Sequence, residues 1–359
     1  MTADGRVQIG IAGFGYWGPN LARNVAASPR AQLAWVCDLR PETLAAAESR
    51  YPDIRTTTRF EELLDDPSLD AVVIATAVST HYELAAAALD AGKHVYVEKP
   101  MASSSTAARD LIRRAEQRSL VLLPGHTFLY SPPVLKIKEL IDAGEVGDVY
   151  FISMSRVNLG LHQPDASVVW DLAPHDFSIL RYWLGAGPSK VVAMARACVV
   201  PHTPDVSFIH ARFDSGTIAH LEIAWLAPSK LRRTAIVGSK RMIVYDDTTS
   251  AEPVRIFDAG ATLPEPDSFG EFQLSYRTGD ILAPKIEATE PLSLAIADFC
   301  QAILEGTTPR STPQTGLDVI LTIEAVERSL AAGGAPARCF PAGSLEPVTS
   351  ELRDRAAAG

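Results

Sequence analysis

Near its start the chain runs Val7-Gln8-Ile9-Gly10-Ile11-Ala12-Gly13-Phe14-Gly15-Tyr16-Trp17-Gly18, an apolar stretch that breaks into glycines. Gly13, Gly15 and Gly18 spell G-x-G-x-x-G, a pattern that by itself marks any glycine-rich turn. Its context is what gives it meaning. The apolar run Val7 to Ala12 reads as a buried strand, and a helical stretch follows from about Trp17 to Ala27. Asp38 stands twenty residues after Gly18, at the end of the next apolar run. In a strand–turn–helix that binds a dinucleotide, the first glycine makes the tight turn and the second admits the pyrophosphate. The third lets helix and strand pack closely, and an acid about 20 residues on takes the ribose hydroxyls. The helix N-terminus then faces the phosphates. Asp38 favours NAD and repels the extra phosphate of NADP, with Arg40 the one neighbour that softens the repulsion.

The alternation continues outward. Leu33 to Cys37, Ala71 to Ala75, His94 to Val97 and Val121 to Leu123 read as strands. Pro41 to Arg50, Glu61 to Asp65, His81 to Ala91 and Thr106 to Arg118 read as helices. The nearly all-apolar Ala71-Val-Val-Ile-Ala75 is typical of a parallel strand covered on both faces. Strand–helix alternation of this kind predicts a doubly wound parallel sheet. From about Gly125 the pattern changes to runs of mixed or alternating polarity. Val149 to Val157, Val191 to Cys198, Ser207 to Phe213, Thr217 to Trp225, Thr234 to Gly238 and Met242 to Asp246 predict a largely antiparallel sheet, with a hairpin turn at Asp214-Ser-Gly216. The Pro-, Gly- and acid-rich 247–291 stretch reads as long loops. Helices at Leu292 to Leu304 and Thr315 to Leu330 and a loose Ala/Gly/Pro tail complete the chain.

Composition narrows the function. The chain has 359 residues, 47% hydrophobic and 21% charged, enough for two cores at about 150 residues per domain. Its formal net charge of -10 and lack of any basic run argue against nucleic acid. No apolar run approaches the roughly 18–20 residues of a membrane span, and the N-terminus reads as a first core strand, not a signal peptide. Cys37, Cys198, Cys300 and Cys339 are far apart with no C-x-x-C, which fits a reducing cytoplasm without disulfides. The eight histidines show no metal-ligand spacing, so no metal is expected.

At the end of the fifth strand stands Glu98-Lys99-Pro100, where open α/β sheets bind their ligands. A lysine there is either a cleft residue or a snorkelling surface residue. Asp171-Leu-Ala-Pro-His175 places an acid and an imidazole four residues apart, near a helix N-terminus with Pro174 in a first turn. The pair shares a face, as a base and its partner or as a cap and a core histidine. A secondary alcohol surrenders hydride only as its hydroxyl proton leaves, which calls for a base near neutrality and a cation for the developing alkoxide. Lys230, Arg232 and Arg233 precede the Thr234 strand and suit a diphosphate or carboxylate, or simply a solvated loop edge. Arg156, Asn158 and His162 are cleft candidates of the same standing, and His126 and Tyr130 are placed near the domain junction.

Taken together, the glycine motif, Asp38, AGKHVYVEKP and DLAPHD resemble the Gfo/Idh/MocA family of oxidoreductases over essentially the whole chain. GFGYWGPNLARN, GHTFLYSPPVLKIKELI, RVNLGLHQ and WDLAPHDFSILRYWLG are most similar to its nucleotide-sugar 3-dehydrogenase branch, which includes UDP-N-acetylglucosaminuronate 3-oxidases. The resemblance implies an α/β Rossmann domain for NAD over residues 1–124. It implies an α+β domain with an open, largely antiparallel sheet over 125–359, for substrate and oligomerisation, with helix 315–330 able to pack back on the Rossmann domain. Lys99 would hydrogen-bond the reacting hydroxyl, His175 would be the general acid/base, and Asp171 would bind substrate or orient the histidine. Gly13, Gly15, Tyr16, Trp17, Gly18, Asp38, Thr76, His81, Glu98 and Lys99 would line the NAD site. His126, Tyr130, Arg156, Asn158, Lys230 and Arg232 would join Lys99, Asp171 and His175 around the substrate. The implied reaction is hydride transfer at carbon 3 of a nucleotide-linked sugar by a cytoplasmic homodimer or homotetramer, its keto product passing to an aminotransferase. An inositol or aminocyclitol dehydrogenase is the alternative, and a dinucleotide-sensing regulator a more distant one. One departure stands out: Ala77 occupies a position where the family usually has proline, which leaves that loop less rigid.

Overall fold

A computed structural model describes residues 5–160, 162, 166–249, 251–262 and 275–340; the tail beyond 340 lies outside them. Val7–Ala12 (β1) is buried along its whole length, as expected for a central parallel strand. Around it lie Ala31–Cys37 (β2), Arg55–Thr57 (β3), Ala71–Ile74 (β4), His94–Glu98 (β5) and Leu122–Gly125 (β6), in the order β3-β2-β1-β4-β5-β6 with every pairing parallel. Gly18–Ala27 (α1), Pro41–Arg50 (α2), Phe60–Leu64 (α3), Val78–Asp90 (α4) and Ser105–Arg118 (α5) make the crossovers. This is the doubly wound sheet that the apolar runs predict. The short β3 escapes the hydrophobic pattern because it is three residues of Arg and Thr at the sheet edge.

Beyond β6 come Pro132–Asp142 (α6), Val149–Val157 (β7) and Val168–Leu184 (α7). Lys190–Arg196 (β8), Val206–Arg212 (β9), Ile218–Ala224 (β10), Leu231–Gly238 (β11) and Met242–Asp246 (β12) follow. Val254–Thr262 (β13), Ser275–Leu282 (β14), Pro291–Glu305 (α8), Pro313–Ala331 (α9) and Ala337–Arg338 (β15) finish the described chain. Among the described residues the nine strands form one mixed sheet, β14-β13-β12-β11-β7-β10-β9-β8-β15, in which only the β7–β10 pairing is parallel. The 247–291 stretch is therefore not all loop, since it carries β13 and β14. Their composition misleads because β14 is the sheet's outer edge, where Tyr276, Ile281 and Leu282 stay exposed and no strict apolar alternation is needed, and because the register of β13 with it shifts between Phe257 and Ala259.

One face of this sheet is covered by α6, α7 and α9, whose Ile137, Phe177, Trp183 and Ile323 pack on Ile152, Leu221, Ile236 and Ile243 in one core. The same α9 sends Leu317, Ile320 and Leu321 into the parallel-sheet core beside Met101 and Leu111. Helix α8 does likewise through Leu292, Ile296 and Phe299, packed with Tyr96 and Tyr130. A side chain at Gly316 would come within 2.9 Å of Met101 Sδ and Pro124, so glycine lets α9 sit tightly over the end of β6. Both sheets thus share helices, which pack on each side of the cleft between them.

Candidate active site

The first turn of the parallel sheet is shaped for a close-lying anionic ligand. Gly13 has φ +91°, and a Cβ there would meet the Ala75 carbonyl oxygen at 2.7 Å. At Gly18 a Cβ would fall 2.2 Å from the Gly13 carbonyl oxygen, so helix and turn touch backbone to backbone. Gly15 has open space except for Arg40 Nη2 at 3.6 Å, which leaves its backbone free for a phosphate. Asp38, just past the end of β2, accepts hydrogen bonds from Phe14 N at 2.8 Å and Arg40 N at 3.0 Å. Arg40 Nε adds another at 2.9 Å. Burial pushes the Asp38 carboxyl up, but the bonds from Arg40 and Phe14 prevail and hold it below the usual carboxylate range. It is an anion, of the kind that would accept hydrogen bonds from a ribose diol. These residues fit NAD, with the glycine turn at its phosphates and Asp38 at its ribose.

A cavity of about 660 Å³ extends from that turn along the carboxyl ends of β4, β5 and β6. Tyr16, Trp17, Thr76, His81, Glu98, Lys99, Asp171, His175 and Arg232 all line it, so residues far apart in the chain meet in one place. Trp17 Nε1 donates to Glu98 Oε1 at 2.9 Å, which ties the glycine turn to the end of β5. Burial pushes the Glu98 carboxyl up to about 7 despite the pull of Lys99 and the Trp17 indole. Both ring nitrogens of His81 lie against carbonyl oxygens, Pro100 at 2.9 Å and Thr76 at 3.1 Å, so its ring braces the wall. Tyr16 is 92% exposed at the cavity mouth.

Lys99 Nζ donates to the Asp171 carbonyl oxygen at 2.8 Å and to Asp171 Oδ1 at 3.1 Å. Asp171 therefore holds the lysine and does not orient the histidine. It is also not a cap, because Ser167 is the N-cap of α7 and Asp171 sits in the first turn. Pro174 lies inside the helix, beyond its first turn. A proline there has no N–H for the Trp170 carbonyl and loosens the ladder beside it. The next carbonyl, that of Asp171, is the one that meets Lys99. One turn further on, His175 packs against the Phe128 ring edge, with centroids 4.9 Å apart. Burial, reinforced by the charges of Lys99 and Arg156, holds its imidazole well below the ordinary range. His175 is neutral at pH 7 and able to accept a proton, and it lines the same cavity as the fixed ammonium. That pairing can take a proton from a hydroxyl and steady the oxygen it leaves behind.

Several other candidates stay away from the cavity. Tyr130 is fully buried, its hydroxyl donating to Asp298 at 2.7 Å. Arg156 lies behind Phe128, bound to Asp176 Oδ1 at 2.7 and 2.9 Å. His126 is buried beside the site without lining it, and burial takes its imidazole down to about 3. Lys230 and Arg233 are exposed, Asn158 is half-buried next to Gly160, and His162 sits 3.5 Å from Asp205. Of the basic trio only Arg232 reaches the wall, its Nη1 on Asp247 at 3.1 Å. Glu290 and Leu292 line the cavity although no motif in the sequence marks them, and Thr127 and Phe128 line it from the GHTFLYSPPVLKIKELI segment, whose His126 and Tyr130 do not. Trp225, which binds Asp171 from outside the cavity, is likewise unmarked. None of these carries chemistry that a motif would flag.

A dinucleotide turn followed by an ammonium and a neutral imidazole defines an NAD-dependent oxidoreductase acting on CH–OH groups. Comparison with known proteins agrees. Residues 7–126 match the model of the oxidoreductase family with an NAD-binding Rossmann fold, and residues 134–244 match the GFO/IDH/MocA C-terminal domain. The chain belongs to the Gfo/Idh/MocA family. It is 29% identical to UDP-N-acetylglucosamine 3-dehydrogenase of Acidithiobacillus ferrooxidans, covering 89% of this chain and 98% of that one. It is 25% identical to NAD-dependent scyllo-inositol 2-dehydrogenase of Bacillus subtilis, covering 89% and 92%. Among solved structures, that of GenD2 from gentamicin A biosynthesis in complex with NAD is similar at a TM-score of 0.78 and 26% identity, covering 94% and 97%.

Proposed function

We propose that the enzyme transfers hydride between NAD and a ring carbon, carbon 3, of a nucleotide-linked sugar. The observation that carries the reading is the convergence of Lys99, neutral His175 and Arg232 on one cavity beyond the parallel sheet. NAD, when bound, supplies the acceptor for the hydride. In the oxidation His175 takes the hydroxyl proton, and the C–H electron pair leaves as hydride while the carbonyl forms. Lys99, held by Asp171, donates a hydrogen bond to the oxygen as its charge develops. Reduction runs the same steps backward with His175 as acid. Arg232 is placed to meet a phosphate or carboxylate on the same substrate. The full-length similarity to a UDP-N-acetylglucosamine 3-dehydrogenase supports a nucleotide-linked substrate. A free cyclitol is the second reading, supported by similarity of equal reach to a scyllo-inositol dehydrogenase.

The outer face of the nine-stranded sheet supports assembly with a second copy of the chain. Phe151 with Ile218 and Met194 with Phe208, 42%, 55%, 72% and 44% exposed, make two apolar pairs there on either side of His210 and His220, and burying them favours association. Light scattering on the purified protein reads the state directly.

The substrate class is tested by thermal unfolding of NADH-loaded protein with UDP, TDP, GDP, UDP-N-acetylglucosamine and free inositols. A ligand at about one hundred times its dissociation constant adds roughly 2.7 kcal/mol. Stabilisation by one nucleoside diphosphate and its sugar, with a keto-sugar product when NAD replaces NADH, is the expected result. A shift with a cyclitol alone would overturn the nucleotide-sugar reading.

A further inference from the structure

Asp171 has a second partner besides the lysine. Trp225 Nε1 donates to Asp171 Oδ2 at 3.0 Å, while Lys99 Nζ holds Oδ1 and the main-chain carbonyl. The carboxylate is divided, one oxygen to each neighbour. Trp225 follows β10 and is 1% exposed, with its own backbone fixed by Asp205 and Gly160: Trp225 N donates to Asp205 O at 2.9 Å, and Gly160 N donates to Trp225 O at 2.9 Å. Its ring lies against His162, with centroids 5.2 Å apart. The nine-stranded sheet thus reaches through one indole N–H and one carboxylate to the lysine at the end of the parallel sheet.

We propose that Trp225 is a positioning residue for the reaction: by engaging one oxygen of Asp171 it limits that carboxylate to a single contact with Lys99 and keeps the ammonium turned toward the reacting hydroxyl. This rests on the reading that Lys99 meets that hydroxyl. Without the indole N–H, Asp171 Oδ2 would lose the donor that holds it, and the Lys99 ammonium, already on Oδ1 and the main-chain carbonyl, is at hand to satisfy it. The carboxylate would turn to grip the lysine with both oxygens, and the hydrogen bond offered to substrate would weaken.

The test compares wild type, Trp225→Phe, Asp171→Asn and the double variant. Lys99 is labelled by trace acetic anhydride and read by peptide mass spectrometry against Lys136, which needs no substrate. Trp225→Phe should slow labelling of Lys99 about threefold, and the double variant should match Asp171→Asn alone, because the indole acts only through the carboxylate. With whichever of UDP-N-acetylglucosamine or myo-inositol the wild type oxidises, Trp225→Phe should lower kcat about tenfold, with the NADH dissociation constant unchanged. If the phenylalanine variant does not fold, a benzothienyl analogue of Trp225, with sulfur in place of the N–H, makes the same comparison. Unchanged Lys99 labelling, or additive losses in the double variant, would overturn the positioning role. Failure of the wild type to bind NADH or to oxidise any polyol would instead overturn the dehydrogenase reading, and the labelling result would stand apart from it.

Discussion

Replacing Lys99 by methionine isolates the ammonium, because the thioether fills much of the space of the lysine stem. In the folded protein the ammonium gives two charge-assisted hydrogen bonds to Asp171, at 2.8 and 3.1 Å, and half of that carboxylate remains satisfied by Trp225. The side chains of Lys99 and Asp171 are 17% and 25% exposed, so water relieves part of the loss. The stability cost is then about 1 kcal/mol. The catalytic cost is larger, because an aligned donor to a developing oxyanion contributes about 3–4 kcal/mol, or roughly 100- to 1,000-fold in kcat. The dinucleotide turn and Asp38 do not touch Lys99, so NADH affinity should stay within about threefold. Calorimetry with NADH, thermal unfolding and the rise of NADH absorbance during oxidation measure the three quantities separately. A Lys99→Met enzyme that binds NADH normally and turns over at the wild-type rate would refute the assignment. A variant that loses NADH binding in step with activity would mean that Lys99 serves the cofactor and not the hydroxyl.

Three further outcomes follow from the geometry. Asp38→Ala removes the ribose acceptor and leaves the Arg40 guanidinium beside Gly15, so NADH should bind about tenfold more weakly and NADPH about tenfold more tightly, as read by titration; unchanged preference would show that Asp38 does not read the ribose. Burial lowers the imidazole of His126 from 6.5 to about 3, so the folded state binds fewer protons than the unfolded one below pH 6.5 and loses stability as the pH falls. Between pH 6.5 and 5 that amounts to about 2 kcal/mol, and denaturant titrations of His126→Gln should show an acid dependence shallower by close to one proton. Ala77 precedes α4 with φ -65°, the value to which a proline ring is fixed. Ala77→Pro should therefore raise stability by about 0.5 kcal/mol through the unfolded chain, and a lower melting temperature would count against the backbone fit.

The parallel sheet is legible in the sequence because a strand buried on both faces must be apolar throughout, and glycine spacing in its first turn follows from close backbone packing. The second half is legible only where strands alternate. β14 is hidden because an edge strand need not bury one face, and β13, paired on both sides, is hidden where its register with β14 shifts, so that Asp258-Ala259-Gly260 reads as loop. Lys99, Asp171 and His175 are visible as chemistry at the end of a strand and on one helical face. Their roles relative to one another are not. Whether Asp171 serves the histidine or the lysine depends on how α7 meets β5, a tertiary fact that residue spacing within one helix does not encode.

The same geometry explains why the base is neutral without a carboxylate to orient it. Asp171 has both oxygens engaged, by Lys99 and Trp225, and Asp176 is bound to Arg156 behind Phe128. The two acids nearest His175 in sequence are thus already engaged by cations or donors, and the charges that reach the imidazole are positive, Lys99 and Arg156 foremost. Positive neighbours and burial both oppose its protonation. A base made this weak is not asked to face a free alkoxide: the alcohol gives up proton and hydride together and ends as a neutral carbonyl, and the positive charge the imidazole gains would be matched by the one that NAD, when bound, gives up on accepting the hydride. Oxidation should accordingly keep its rate, as far as His175 sets it, from pH 8 down to about 6, where an ordinary imidazole would already be about three-quarters charged. An acid limb at or above the ordinary histidine range in the pH profile of kcat/KM that survives Glu98→Gln, which removes the carboxyl raised to about 7 in the same cavity, would show that His175 is not held below that range in the working enzyme.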